Sequence, residues 1–190
     1  MIAKGSVLKA EPLRLSNVKF HFKLEKDFDV KKNISVDDFT SIHENFAVAR
    51  FENGAVYSVF RNHINVTGVK RFRDIPRTIR AFENQYAVNR IGEYKIDNCT
   101  YSGNLLHYRN LDRALLTKNL GLNIGKISDL IRSNRFFIRH RPDSFPGAVI
   151  RFPSRGTVIL FASGKLVILG VSSENQANNV YSWLCVLTSR

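Results

Sequence analysis

The chain has 190 residues, 44% hydrophobic and 24% charged, which is typical of a globular protein with a sizeable core. It has no run of about 18 apolar residues and no secretory signal at its start, so we expect neither a membrane span nor secretion. Two cysteines are too few for a disulfide framework or a zinc site, and they suggest a reducing, intracellular compartment. The net charge of +13 favours nucleic acid or an anionic membrane surface as a partner.

Alternating apolar and polar residues mark the strands in the first half of the chain. We predict a strand over 15–24, a short helix at about 27–32 and a strand–turn–strand unit over 45–60. Another strand over 64–70 and a long helix over 73–90 follow. Gly54 lies in the predicted turn. Pro76 falls in the first turn of the long helix, where its missing N–H costs little.

The same order of elements recurs in the second half. The corresponding segments are 95–106, 110–119, 144–161 with its turn at Gly156, 165–171 and 173–189. Ser172 or Ser173 is expected to cap the last helix with its side-chain oxygen. The segment 120–136 has no counterpart in the first half, and we interpret it as a loop with a strand.

This recurrence predicts two repeats, 13–90 and 91–190, after an N-terminal segment 1–12. The two halves carry Asn17 and Asn98 at corresponding places in their first strands. No low-complexity linker separates the repeats, so we expect both to share one continuous sheet.

Several segments resemble the TATA-box-binding protein family. They are FPG (145–147), ILFASGK (159–165), VILG (167–170), NVTGVK (65–70), SNV (16–18) and DNC (97–99). The first three are similar to the second repeat of that family, and the last two stand where it has paired Asn-containing strands. The resemblance implies an α+β fold, a saddle made of one curved antiparallel sheet of two pseudo-symmetric repeats with helices on its convex face.

The resemblance also implies a function. The concave face of the sheet would enter the minor groove of A·T-rich double-stranded DNA, kink it and nucleate transcription initiation, a mechanism for which this family is the standard example. The implied partners are the A-type and B-type general transcription factors, and the implied location is the nucleus. No cofactor, small-molecule substrate or membrane partner is expected.

The family's DNA contacts carry over to particular residues. Phenylalanine wedges suit an unstacked base step, and arginine or lysine suits the phosphates beside it. The implied wedges are Phe46, Phe60, Phe145 and Phe161. The implied groove-facing residues are Asn17, Asn98, Lys19, Thr100, Ser58, Ile159, Thr67, Val167 and Leu169, and the implied phosphate contacts are Arg50, Arg151, Lys165 and Arg61. Strand alternation agrees, because Ile159 and Phe161 share one face of their strand.

The first repeat departs from the pattern of the second. Phe46 and Phe60 are 14 residues apart, whereas Phe145 and Phe161 are 16 apart. Either Phe46 is the wedge in a shortened strand, or the wedge position falls on Glu44, and we favour Phe46. The SGK turn is replaced by RNHI (61–64), so Arg61 or His63 would supply the phosphate contact.

Further departures affect the groove floor and the partner surfaces. Lys19 stands where an apolar groove residue is usual, and Leu169 stands where the family has Thr. An acidic pair precedes FPG in the family and helps to bind the B-type factor, but Arg141 replaces the first acid here. The basic side chains that would serve the A-type factor are Lys70, Arg71, Arg73, Arg77 and Arg80.

No catalytic motif or metal-ligand spacing is visible in the sequence, so we do not expect an enzyme. Two alternatives stay open. The chain could be a saddle that has lost DNA bending and binds RNA or protein, or a base-flipping DNA repair enzyme. The second alternative needs a pocket with a catalytic acid or lysine, and usually a further domain.

Overall fold

The computed structural model describes residues 12–33, 39–51, 54–152 and 156–189. The strands are β1 (Arg14–Leu24), β2 (Phe39–Ile42), β3 (Ala47–Arg50), β4 (Val56–Val59), β5 (His63–Val69), β6 (Arg90–Asn104), β7 (Phe137–Arg141), β8 (Phe145–Phe152), β9 (Gly156–Leu160) and β10 (Lys165–Val171). The helices are α1 (Val30–Asn33), α2 (Ile75–Tyr86), α3 (Ile124–Ser133) and α4 (Glu174–Leu187).

These strands form one open antiparallel sheet in the order β2-β3-β4-β5-β1-β6-β10-β9-β8-β7. The predicted α+β class with an antiparallel sheet is therefore confirmed. The chain divides into two compact units: the first unit is Leu15–Cys99, and the second comprises the described residues 12–14 and 100–189. The division into repeats 13–90 and 91–190 stays a prediction.

The first unit buries one face of its strands against α2. On β1, alternate residues from Val18 to Leu24 are buried, as the period of a strand requires. Phe82 of α2 is fully buried, with its ring centroid 6.0 Å from that of Phe22 and 5.5 Å from that of Tyr57. The Tyr57 hydroxyl donates a hydrogen bond of 2.8 Å to the Thr78 carbonyl oxygen, which ties the sheet to the helix.

The second unit repeats this arrangement with α4. Val158, Leu160 and Ile168 are fully buried, and α4 packs on β9 and β10. Ser173 caps α4 by accepting a hydrogen bond of 3.3 Å from the Gln176 N–H, so the cap is the second of the two serines considered. Both long helices are confirmed within a few residues of their predicted bounds.

Two sequence predictions for the second unit are wrong. The segment 110–119 is not an α-helix: it contains a 3-10 turn at Arg113–Leu115, which Asp112 caps by accepting a hydrogen bond from the Ala114 N–H. The backbone leaves helical geometry because the Leu115 carbonyl accepts a hydrogen bond from the Asn123 N–H. In an α-helix it would accept from the N–H four residues later in the chain. A tertiary hydrogen bond thus overrides the local helical pattern.

The segment 120–136 was interpreted as a loop with a strand, but it contains the helix α3. Asn123 caps this helix by accepting a hydrogen bond of 3.1 Å from the Lys126 N–H. Ile127 and Ile131 follow at helical spacing, and both are fully buried. The helix packs against β7, an edge strand that the sequence analysis did not place.

In the described ranges, no helix is long and apolar enough to cross a membrane. In the same ranges, no group of three or more His, Cys, Asp or Glu side chains is arranged to hold a metal ion. Cys99 and Cys185 are buried free thiols, and burial raises the pKa of Cys185 to about 12.

Candidate nucleic-acid interface

In each unit, one face of the sheet packs on helices and the opposite face holds half-exposed side chains. We call this opposite face the open face. Strand alternation generates it, because Val158 and Leu160 are buried while Ile159 between them is half-buried.

Every predicted DNA-contacting residue is half-buried or exposed, and none belongs to the buried core. The half-buried ones are Asn17, Phe46, Ser58, Phe60, Thr67, Asn98, Thr100, Ile159, Phe161, Val167 and Leu169. The exposed ones are Lys19, Arg50, Arg61, Phe145, Arg151 and Lys165. Most Phe residues of a globular protein are buried, but none of the four predicted wedges is. They share this with Phe51, Phe72 and Phe136, which are half-buried, and with Phe137, which is 55% exposed.

In the second unit, Phe145 and Phe161 form a pair at one end of the open face. Their ring centroids are 5.9 Å apart at an interplanar angle of 64°, an edge-to-face contact. Phe145 is 40% exposed, which is unusual for a large apolar side chain. Arg151, on the same face of β8, places its Cζ 5.6 Å from the centroid of the Phe137 ring.

In the first unit, Phe46 and Phe60 form the matching pair, but their rings are stacked. The centroids are 5.4 Å apart at an angle of 23°. The His43 ring stacks on Phe46 at 4.3 Å, and the His63 ring stacks on Phe60 at 4.5 Å. Four rings therefore form a continuous stack in the first unit, a feature that the sequence spacing did not reveal.

Strand register explains why the two Phe pairs have different spacings. In the first unit Ala47 pairs with Val59, and the residue before Ala47 is Phe46. In the second unit Ala148 pairs with Leu160, and the residue before Ala148 is a glycine. By register, Phe46 therefore corresponds to Gly147. Phe145, the phenylalanine of the second unit, lies two residues earlier in the strand.

That glycine, Gly147, lets the Phe145 ring reach back along the strand. A Cβ on Gly147 would lie 2.6 Å from Cε1 of Phe145 and 2.8 Å from Cγ2 of Ile159, closer than real Cβ contacts. The Phe145 ring thus lies over the position that Phe46 occupies directly in the first unit. Both units therefore bring a ring to corresponding places by different routes, and the choice of Phe46 over Glu44 as the wedge stays a prediction.

The turns after the second Phe of each pair also correspond. The Phe161 N–H donates to the Lys165 carbonyl oxygen at 2.9 Å, and the Phe60 N–H donates to the His63 carbonyl oxygen at 3.0 Å. His63 is therefore the counterpart of Lys165. Arg61 contacts Asp27 instead, with its Nε 2.8 Å and its Nη2 2.7 Å from Oδ2 of that carboxylate.

Asn17 uses its amide to hold the end of β5. Its Oδ1 accepts from the Gly68 N–H at 2.7 Å, and its amide also exchanges hydrogen bonds with the Thr67 hydroxyl at 3.1 and 3.2 Å. Gly68 has a φ of +92°, a conformation that side chains disfavour. In the structure Asn17 therefore has a backbone-supporting role, and its contact with a base edge stays a prediction.

Comparison with known proteins agrees with this fold. A family model, "Transcription factor TFIID (or TATA-binding protein, TBP)", matches residues 117–186. The structure is similar to the Methanococcus jannaschii TBP, with a TM-score of 0.74 and 21% identity over 93% of this chain and 98% of that one.

Archaeal relatives match the sequence over different lengths. The TATA-box-binding protein of Thermococcus sibiricus is 27% identical over 177 residues, covering 87% of this chain and 86% of the relative. That of Aeropyrum pernix is 42% identical over 70 residues, or 30% of its length. The match to the Thermoplasma volcanium protein spans only 60% of that relative's length at 27% identity. In its family-model match over residues 117–186, in its archaeal relatives and in its fold, the chain is similar to the TATA-box-binding protein family.

Proposed function

We propose that this protein binds duplex DNA in transcription initiation, and that its Phe pairs enter the minor groove of A·T-rich sites and kink them. The observation that carries the proposal is the pair of exposed Phe145 and half-buried Phe161, on the same sheet face as the exposed cations Arg151 and Lys165. The relatives reported above are named for binding the TATA box rather than for catalysis. This supports a binding protein over an enzyme.

The chemistry of the open face suits a deformed minor groove. An exposed ring is costly in water, but it is accommodated between two bases that have been unstacked. Unstacking costs a few kcal/mol per step in proteins of this kind, for which TATA-box-binding proteins are the standard example. The half-buried apolar side chains around the wedges, such as Ile159 and Val167, would recover that cost by leaving water against the widened groove.

Sequence preference should be coarse. The minor groove distinguishes mainly A·T from G·C pairs, because both A·T orientations present only acceptors. In the first unit Lys19 is exposed on the groove side of β1, where it would add a positive charge to the floor. The amide of Asn17 is already engaged by Thr67 and Gly68, so a base contact would have to use its remaining donor capacity.

Exposed charge supports part of the proposed set of transcription partners. The arginines around α2, at 71, 73, 77 and 80, are all exposed, which supports an interaction with an A-type factor or its equivalent. Arg141 is exposed at the place where the family carries an acid. A B-type partner would therefore need a different contact. A nuclear location stays a proposal, because the reported relatives come from archaea, whose cells have no nucleus.

The test is a bending assay on an A·T-rich duplex labelled at both ends for fluorescence transfer. Wild type should shorten the end-to-end distance, and the double variant Phe145→Ala/Phe161→Ala should bind without shortening it. Val186→Ala is the matched control, because Val186 is 58% exposed on α4, away from the open face. Equal bending by wild type and the double variant would refute the wedge assignment.

The alternatives give different results in the same experiments. A scaffold that binds RNA or protein would leave the distance between duplex ends unchanged even for the wild type. A base-flipping enzyme would release free base from the duplex, which a glycosylase assay detects.

A further inference from the structure

The outermost strand of the second unit, β7, presents a row of exposed side chains. Ile138 is buried and His140 is half-buried, whereas Phe137, Arg139 and Arg141 are exposed. We call these three exposed residues the β7 strip. Alternate residues of a strand share one face and lie about 6.7 Å apart, so the strip spans two such steps.

Strand pairing places the β7 strip on the open face. Phe137 is the cross-strand partner of Arg151, and Arg141 is the partner of Phe145. Directly paired residues on antiparallel strands project from the same side of a sheet. The strip is therefore continuous with the surface that carries the proposed wedge and phosphate contact.

The arginines of this surface have no anionic partner within the described part of the chain. None of the ion pairs found there involves Arg139, Arg141 or Arg151. Instead, Arg151 lies over the exposed Phe137 ring, with Cζ 5.6 Å from its centroid, an arrangement that restricts the guanidinium without neutralising it. Three uncompensated guanidinium groups on two neighbouring strands form a surface suited to several phosphates.

The outermost strand of the first unit differs in composition. β2 has the sequence FTSI and contains no charged residue. Of the two outermost strands that the structure describes, β7 alone therefore carries charged residues.

We propose that the β7 strip binds the DNA backbone beyond the kinked site and extends the footprint on one side only. The proposal rests on the proposed function, because it takes the open face as the DNA-binding surface. Duplex DNA is favoured over an acidic protein as the occupant, since the strip shares a face and a strand pair with Phe145 and Arg151. One-sided contact distinguishes the two ends of the bound duplex, so the strip also orients the protein on a nearly symmetric A·T-rich site.

The experiment compares affinity at several salt concentrations for two duplexes. One contains only the A·T-rich site, and the other extends it by about one helical turn at each end. Removing two phosphate contacts should reduce the slope of log affinity against log salt by about 1.8, since each contact contributes about 0.9. For Arg139→Gln/Arg141→Gln, the slope of log affinity against log salt should fall by this amount on the extended duplex. On the short duplex, this variant should keep wild-type affinity and bending.

Two control variants isolate the effect. Arg77→Gln/Arg80→Gln removes the same charge from exposed positions on α2 and should leave both slopes unchanged. Arg139→Lys/Arg141→Lys keeps the charge and should keep most of the slope on the extended duplex. Unchanged thermal unfolding checks the fold of the glutamine variant, in which the buried anchor Ile138 is retained.

Each outcome decides the inference separately from the function. If wild type bends the short duplex but the glutamine variant loses no slope on the extended one, the inference is wrong and the proposed function stands. An equal loss on both duplexes would place the arginines at the site itself and would also overturn it. Poly-glutamate serves as a probe for an acidic protein partner. If the glutamine variant binds both duplexes as wild type does but no longer binds poly-glutamate, the β7 strip is a protein-binding surface and the inference is wrong. A wild type that bends neither duplex would refute the proposed function.

Discussion

Substituting Gly147 by alanine should move the ring of Phe145, the proposed wedge, while leaving the fold intact. The new Cβ would lie 2.6 Å from Cε1 of Phe145 and 2.8 Å from Cγ2 of Ile159. Carbon atoms pack best at about 3.5–4.0 Å, so the Phe145 ring must shift by about 1 Å. The backbone of Gly147 does not require positive φ, so the alanine itself introduces no backbone strain.

The energetic consequences differ for folding and for DNA binding. Overpacking a core costs about 1–3 kcal/mol, but Phe145 is 40% exposed and can turn outward, so we expect the low end of that range. The loss of glycine entropy from the unfolded chain offsets about 0.4–1 kcal/mol of it. DNA binding should suffer more, because binding geometry must be held within about 0.5 Å. A loss of about tenfold in affinity, or about 1.4 kcal/mol, with reduced bending is expected.

Fluorescence-transfer bending and equilibrium binding measure the effect, with thermal unfolding as the check on stability. Gly125→Ala is the matched control. Gly125 lies on α3, and a Cβ on this residue would contact only the Asn123 Oδ1, at 3.3 Å. Phe145→Ala calibrates complete loss of the ring. If Gly147→Ala bends DNA as wild type does while Phe145→Ala does not, the position of the ring over Gly147 is irrelevant and the reasoning fails.

Three further results are expected. His63→Lys should steepen the salt dependence of DNA affinity by about one unit, because it places a permanent charge at the counterpart of Lys165; an unchanged slope in a salt titration would contradict that correspondence. Phe82→Ala should lower the free energy of unfolding by about 3–5 kcal/mol in denaturant titrations, since its ring is fully buried among aromatic rings; a loss below 1 kcal/mol would show that the site collapses easily. The Cys185 thiol should resist a disulfide reagent at pH 8 until the protein unfolds, and rapid labelling of the folded protein would contradict its burial. Because burial raises the pKa of this thiol, the free energy of unfolding should fall as the pH rises from the ordinary thiol pKa of about 8.5 towards about 12.

The sequence predicted the fold where local signals and tertiary packing agree. Strand alternation located the buried residues of β1, and the expected cap at Ser172 or Ser173 located the start of α4. Prediction failed at 110–136, where a hydrogen bond between Leu115 and Asn123 sets the geometry of both flanking segments. That bond joins residues whose pairing no local pattern encodes. The two outermost strands were missed because a short edge strand carries a weak alternation signal.

For the candidate site, the sequence by itself determined which residue types share a strand face. This follows from the two-residue period of a strand, and it placed Ile159 with Phe161 without any tertiary information. It also located the unusual features of the first unit, the shorter Phe spacing and the missing SGK turn.

Only the tertiary structure decided how neighbouring strands are aligned, because register depends on hydrogen bonds between segments distant in sequence. Register matched Phe46 with Gly147, and the hairpin hydrogen bonds matched His63 with Lys165. The side chain of Arg61 is engaged by Asp27, 34 residues earlier in the chain, a contact that spacing alone does not predict. The sequence thus determined which side chains face outward, and folding decided which of them meet.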